Sequence, residues 1–317
     1  MKWDDPVVQT SAIRSIRVEE GKLTNQLIGF DVPESLGIAV DHALYTQLNE
    51  LVAAWKADDT VDDLSIYVRR MNSGLWFAVN EAAAFSPAGM LKVALMMEYL
   101  HKGETDPRIL SRHIVYDGSF DYNDSEIVKP SEPLRAGEVY TVFELIERMI
   151  RYSDNNANHL LLTTQTINPA PLSELFESLR LPEPGWLRRF DSMSSNVYST
   201  FFRALYNATY LSRGSSERAL ELLSKSEFRE GIVAGVPGTI TVAHKFGERL
   251  LPSKSDTMDM REFHDCGIVY YPKYPYFLCV MTRGKDFNAL VGVVRKTSEV
   301  VYRAVEDRHA GAGAAGG

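Results

Sequence analysis

Apolar positions recur along this chain with two different periods, and the periods divide it into helices and strands. From Gly37 to about Lys56, Ile38, Val40, Leu44, Leu48, Leu51, Val52 and Trp55 fall mostly on one stripe, which predicts a helix. Leu64 to Met71 has strand character, Asn72-Ser73-Gly74 turns, and Leu75 to Asn80 returns as the second arm of a hairpin. Phe85 to Leu100 reads as a turn feeding a helix, with Pro87 near its start. Between Met90 and Leu100 the only charges are Lys92 and Glu98, so this helix is expected to be central and buried. Residues 103–140 are polar and predict mostly loop.

Thr141, with Glu144 three residues on, is a candidate cap for a helix to Arg151. Further helices are expected at about Asn155–Thr164, Pro171–Leu179 and Tyr198–Leu211, with a loop over 181–196 broken by Pro182, Pro184 and Gly185. Thr239–Ala243, Cys266–Tyr271 and Tyr276–Met281 predict strands, and Ala289–Val305 a closing helix. The order is helix, two strands, several helices, three strands, helix. A sheet built from both chain ends around an inserted helical block accounts for it, an α/β (α+β) arrangement. The expected boundaries are an N-terminal extension 1–37, an α/β part formed by 38–88 and 230–309, a helical part 89–229, and a flexible Gly/Ala tail 310–317. A ligand site is expected at the seam.

Composition narrows this only a little. The chain has 317 residues, 45% hydrophobic and 24% charged, ordinary globular values. A net charge of -8 without a Lys/Arg cluster argues against a nucleic-acid partner. No run of about 18 apolar residues suggests a membrane span. Met1 to Pro6 lacks the apolar core of a signal peptide, which leaves a cytoplasmic protein or a removed signal. Cys266 and Cys279 flank a turn at residues 271–275. Two buried thiols are the expectation and a cross-strand disulfide the alternative. No Cys/His spacing suggests a metal, and no cofactor is expected.

Lys92 is the chemical anomaly. It is a cation in the first turn of an apolar helix, where both the helix dipole and desolvation oppose it. A snorkelling lysine is the bland explanation and a functional one the other. Two short motifs join it: Tyr152-Ser153-Asp154-Asn155 between helices, and His244-Lys245-Phe246-Gly247-Glu248 on a strand. They follow the order S-x-x-K, S-D-N, K-T-G, each on the fitting element type. From about Leu64 to Val305 the chain resembles the class A β-lactamase and penicillin-binding serine hydrolase family. The resemblance implies an antiparallel five-stranded sheet flanked by helices with an inserted all-α subdomain.

The resemblance also implies roles. Lys92 would deprotonate a serine three residues before it, and Ser153 would pass protons to the leaving nitrogen. Asn155 would hold the substrate amide, Lys245 would attract its carboxylate, and Gly247 would let it lie along the strand. The N–H groups of residue 89 and Glu248 would form an oxyanion hole. The implied ligand is a β-lactam or peptidoglycan peptide, and the implied location periplasmic or extracellular. A monomer is expected. The sequence departs from the pattern at Gly89, which stands in the nucleophile position and has no nucleophilic atom. Ser86 is six residues from Lys92, too far along a helix to substitute. Phe246 replaces the threonine of K-T-G. In the loop expected to carry a deacylating glutamate, only Glu183 and Asp191 are acidic, Asp191 is expected to pair with Arg188 or Arg189, and Ser194 falls at the glutamate's place.

The expectation is therefore a β-lactamase-like site that still recognises ligand but is catalytically impaired. The alternative is a non-catalytic binding or scaffold module. His264-Asp265 is expected to be structural and His244 to pack on the face opposite Lys245. Tyr270, Tyr271, Tyr274, Tyr276 and Phe277 are expected as hairpin core, Met96 and Met97 as core filling, and Ser153 as a possible helix cap.

Overall fold

Strands that are apolar at every position must be covered on both faces. Covering of this kind is seen at β1 (Asp63–Arg70), whose six inner residues are all buried, the polar Ser65 and Arg69 included. The structure, a computed structural model of the chain, describes residues 22–25, 42–164, 172–181, 192–252 and 259–313. Its element order is α1 (His42–Ala57), β1, β2 (Trp76–Val79), β3 (Ala84–Phe85), α2 (Lys92–Thr105), β4 (His113–Val115), β5 (Val139–Thr141), α3 (Val142–Arg151), α4 (Asn155–Thr163), α5 (Ser173–Ser178), β6 (Met193–Ser194), α6 (Ser195–Asn207), α7 (Arg213–Ser224), β7 (Val242–Leu251), β8 (Met260–Val269), β9 (Tyr276–Gly284) and α8 (Phe287–Gly313). The main sheet is antiparallel with strand order β2-β1-β9-β8-β7, five strands drawn from both chain ends.

Alternation along each strand splits the core in two. Ala243, Cys266, Ile268, Phe277, Cys279 and Met281 face a cluster built from α2 to α7. Val242, Phe246, Phe263, Leu278 and Val280 face a second cluster closed by α1 and α8. The helix α2 is the axis of the first. Val93, Ala94, Met96, Met97 and Tyr99 are wholly buried in it, and Met96 and Met97 are core as expected. Its buried Glu98 is held by Lys102 at 3.2 Å and by the Tyr210 hydroxyl at 3.1 Å.

Several expectations are corrected. Cys266 and Cys279 are directly opposite in register and joined as a disulfide, not held as two thiols. The strand expected at Thr239 starts at Val242 and runs on to Leu251 despite its polar residues, because it pairs with β8 along its full length. An amphipathic helix not expected from the sequence pattern, α7, lies at 213–224. The closing helix continues to Gly313, past the expected tail boundary, since adding a residue to a helix already formed costs far less than starting one. The segment 182–191, with Glu183, Arg188, Arg189 and Asp191, lies outside the described residues, as does the start of the first helix at 37–41.

Candidate active site

The chain reaches the seam along a tight turn just before α2. Ala88 to Leu91 forms one 3₁₀ turn ahead of α2, and Ala88 sits at φ 45°, in the left-handed region. Ser153 sits there too, at φ 58°, in the turn between α3 and α4. Such backbone conformations cost about 1–3 kcal/mol and persist where surroundings enforce them. Around Ser153 the enforcement comes from its neighbour. The wholly buried Asp154 accepts from the N–H of Asn156 at 2.8 Å and of Ala157 at 3.2 Å, from Asn123 Nδ2 at 3.0 Å and from the Leu134 N–H at 3.1 Å. Asp154, not Ser153, is therefore the N-cap of α4, which leaves the Ser153 hydroxyl free to face the seam.

Lys92 does not snorkel. It is 4% exposed, and its Nζ donates to the Ser153 carbonyl at 2.6 Å, the Ser153 Oγ at 3.1 Å and the Asn155 Oδ1 at 2.6 Å. Three acceptors match the three protons of an ammonium. Burial pulls its pKa down to about 8, while Glu126, Asp154 and Glu248 hold it up. From β7, the wholly buried Lys245 donates to the same Ser153 Oγ at 2.8 Å and to the Phe246 carbonyl at 3.1 Å. Burial, then the neighbouring Lys92, push it well below an ordinary lysine. Two amines thus converge on one hydroxyl.

Gly89 and Gly247 sit where the turn and the strand touch. A Cβ on Gly247 would lie 2.8 Å from the Pro87 carbonyl oxygen and 3.0 Å from the N atoms of Gly89 and Met90, so only glycine allows this approach. A Cβ on Gly89 would meet nothing closer than 3.4 Å, at the Phe246 carbonyl oxygen, and would lie 3.6 Å from Ser153 Oγ. The position three residues before Lys92 is therefore roomy and points at the Ser153–Lys245 pair.

The open cleft beside these groups, about 370 Å³, is lined by Gly89, Lys92, Glu126, Asn155, Glu248 and Arg249 among others. Gly89, Lys92, Ser153, Asn155, Lys245, Gly247 and Glu248 thus come together from three separate stretches of chain. Ser86 does not join them. Its Oγ accepts from Arg249 at 2.6 Å and its carbonyl from His264 Nε2 at 2.9 Å. Phe246 turns away from the cleft and stacks against Phe228, with ring centroids 4.4 Å apart. Ser194 caps α6 through the Val197 N–H. His244 faces away from Lys245 and meets Asp265 at 2.8 Å, deep in the molecule. Tyr276 and Phe277 are core, whereas Tyr274 is 42% exposed and stacks on His309.

Sequence reasoning missed Glu126. It comes from the polar segment between α2 and α3, where no periodicity or motif marks one acid among many. Its Oε1 accepts from Asn155 Nδ2 at 3.0 Å. Among the described residues no cluster of three or more metal-ligating side chains occurs, and no helix is long and apolar enough to cross a membrane.

A five-stranded antiparallel sheet with a helical block inserted beside it, and a serine flanked by two lysines at their seam, defines a β-lactamase-like fold. The chain belongs to the beta-lactamase enzyme family, whose family model matches residues 43–305. Solved structures with the same fold include PBP-A (19% identity, 84% of this chain and 96% of that one, TM-score 0.65). A beta-lactamase from Streptosporangium roseum matches at 21% identity over 82% of this chain and 98% of that one, TM-score 0.67. A class A beta-lactamase from Mycobacterium abscessus matches at 19% over 81% and 99%, TM-score 0.65. Curated protein sequences give no match.

Proposed function

We propose that this protein binds β-lactams or D-alanyl peptides in the cleft beside Gly89 and, lacking a nucleophile there, does not complete acyl transfer. The observation that carries this reading is the convergence of Lys92 and Lys245 on Ser153 Oγ, at 3.1 and 2.8 Å, next to a glycine with room for a side chain. A ligand carbonyl lies between the N–H groups of Gly89 and Glu248, its amide meets Asn155, and its carboxylate is drawn by Lys245. Lys92 and Ser153 remain equipped to move a proton, but no hydroxyl stands where the attack would start. A mutant of PBP-A has been captured as an acyl-enzyme complex with penicillin G, the step this site is built to approach. The Cys266–Cys279 disulfide supports a periplasmic or extracellular location, because such bonds persist in oxidising compartments.

The test is Gly89→Ser. The variant is expected to acquire slow covalent labelling by a fluorescent penicillin, mapped to residue 89, while the parent chain binds the same ligand reversibly in calorimetry. An unlabelled Gly89→Ser protein would overturn the assigned roles. No heat at millimolar ligand with the parent chain would favour the second reading, a module that keeps the fold and binds nothing here, which the missing nucleophile also suits.

A further inference from the structure

The space beside Gly89 has two polar walls and one apolar wall. A Cβ there would lie 3.4 Å from the Phe246 carbonyl oxygen, 3.6 Å from Ser153 Oγ and 3.6 Å from the Gly247 Cα, all ordinary contacts. Both oxygens are tied to the lysines. Lys245 donates to the Phe246 carbonyl at 3.1 Å and to Ser153 Oγ at 2.8 Å, and Lys92 donates to Ser153 Oγ at 3.1 Å. The space opens into the cleft that Gly89, Lys92 and Asn155 line. A serine side chain, cut from its Cα and closed with hydrogen, is methanol. The position therefore offers room and hydrogen-bonding partners to a free molecule carrying the group that residue 89 lacks.

We infer that this chain is an acyltransferase with an external acceptor: a small free alcohol lodges beside Gly89 and takes the acyl group of a β-lactam held in the cleft. The inference rests on the ligand assigned above, but it needs no nucleophile of the chain itself. The step balances. The alcohol oxygen attacks the lactam carbonyl, a C–O bond forms, and the lactam C–N bond breaks. The alcohol's proton passes to Ser153 Oγ, whose own proton goes to Lys92. The same relay returns a proton to the lactam nitrogen, which leaves as an amine. The product is a ring-opened ester, and the chain ends as it began.

Two physical points favour this step. Burial pulls the Lys92 pKa to about 8, so part of the population is a free amine able to take a proton near neutral pH. Serine hydrolases stripped of one triad member also keep about 10³–10⁴-fold catalysis over water, supplied by the oxyanion hole and binding. Water reaches the same two oxygens but leaves the space beside the Gly247 Cα unfilled, so it is not held at one position.

The size of the acceptor is the test. The parent chain is incubated with penicillin G and methanol, ethanol or tert-butanol at one concentration. Ester is measured by mass spectrometry against the same mixture without protein. Methyl ester is expected at least about tenfold above that background, well within what a positioned proton relay supplies. The excess is expected to fall several-fold with ethanol and to vanish with tert-butanol. No excess with methanol, or an equal excess with all three alcohols, overturns the external acceptor. Gly89→Ala gives a second arm. Its methyl takes the alcohol's place at ordinary contact distances, so the protein is expected to keep the parental circular dichroism and lose the excess. A folded Gly89→Ala protein that keeps the excess also overturns the inference. Calorimetry with penicillin G separates the two ways to fail. Heat without ester overturns the acceptor alone, whereas no heat removes the ligand assignment and this inference with it.

Discussion

At the scale of single residues, the two glycines of the site make opposite predictions. Gly89 has no left-handed backbone to protect and no neighbour within 3.4 Å of a new Cβ. Gly89→Ser is therefore expected to change unfolding free energy by no more than about 0.5 kcal/mol in urea titration, while changing chemistry. Gly247→Ala places a methyl 2.8 Å from a backbone oxygen that belongs to the turn carrying Gly89. Neither backbone can yield alone, so the strand and the turn must separate. A loss of about 1–3 kcal/mol is expected, together with lost ligand binding if the proposed oxyanion pair of Gly89 and Glu248 N–H groups is used. A Gly247→Ala protein as stable as its parent would show that the approach is looser than the distances state.

At the scale of elements, α3 is the clearest case of local sequence dictating structure. Thr141 Oγ1 accepts from the Glu144 N–H at 3.1 Å, and Glu144 accepts from the Thr141 N–H at 2.7 Å, a complete capping box. Thr141→Ala is expected to cost about 1 kcal/mol, read as a lowered Tm with an unchanged fold by circular dichroism. This cap was legible because both partners lie within four residues. The central helix α2 and the hairpin β1–β2 were legible for the same reason, each being a local pattern of apolar residues or turn formers. What escaped the sequence depends on distant partners. The full length of β7 reflects its pairing with β8, and the disulfide reflects the register of β8 against β9. The cap at Asp154 rather than Ser153 reflects Asn123 and the Leu134 amide, some twenty to thirty residues upstream. The three motifs were readable as residue types, but Glu126 was not, since only folding brings it to Asn155.

For the whole molecule, the joint between the sheet and the turn at the site is sealed by a histidine that cannot accept a proton without breaking a bond. His264 is wholly buried on β8. Its Nε2 lies 2.9 Å from the Ser86 carbonyl, to which it donates, and its Nδ1 accepts from the Thr282 N–H of β9 at 3.1 Å. These partners fix the neutral tautomer, and a second proton would displace Thr282 and place a charge in the core. Burial accordingly pulls its pKa down to about 3. In the unfolded chain the same ring titrates near pH 6.5. Above about pH 6.5 it is neutral in both states and exacts nothing. As pH falls below that, only the unfolded chain gains the proton, so this ring removes stability at up to about 1.4 kcal/mol per pH unit, until the folded form also protonates near pH 3. Two-dimensional NMR of the imidazole resonances is the direct measurement. His264 is expected to stay neutral to about pH 4. A midpoint near 6.5 for His264 would mean that this joint opens in the folded protein, and that the turn bearing Gly89 is not fixed to the sheet as described.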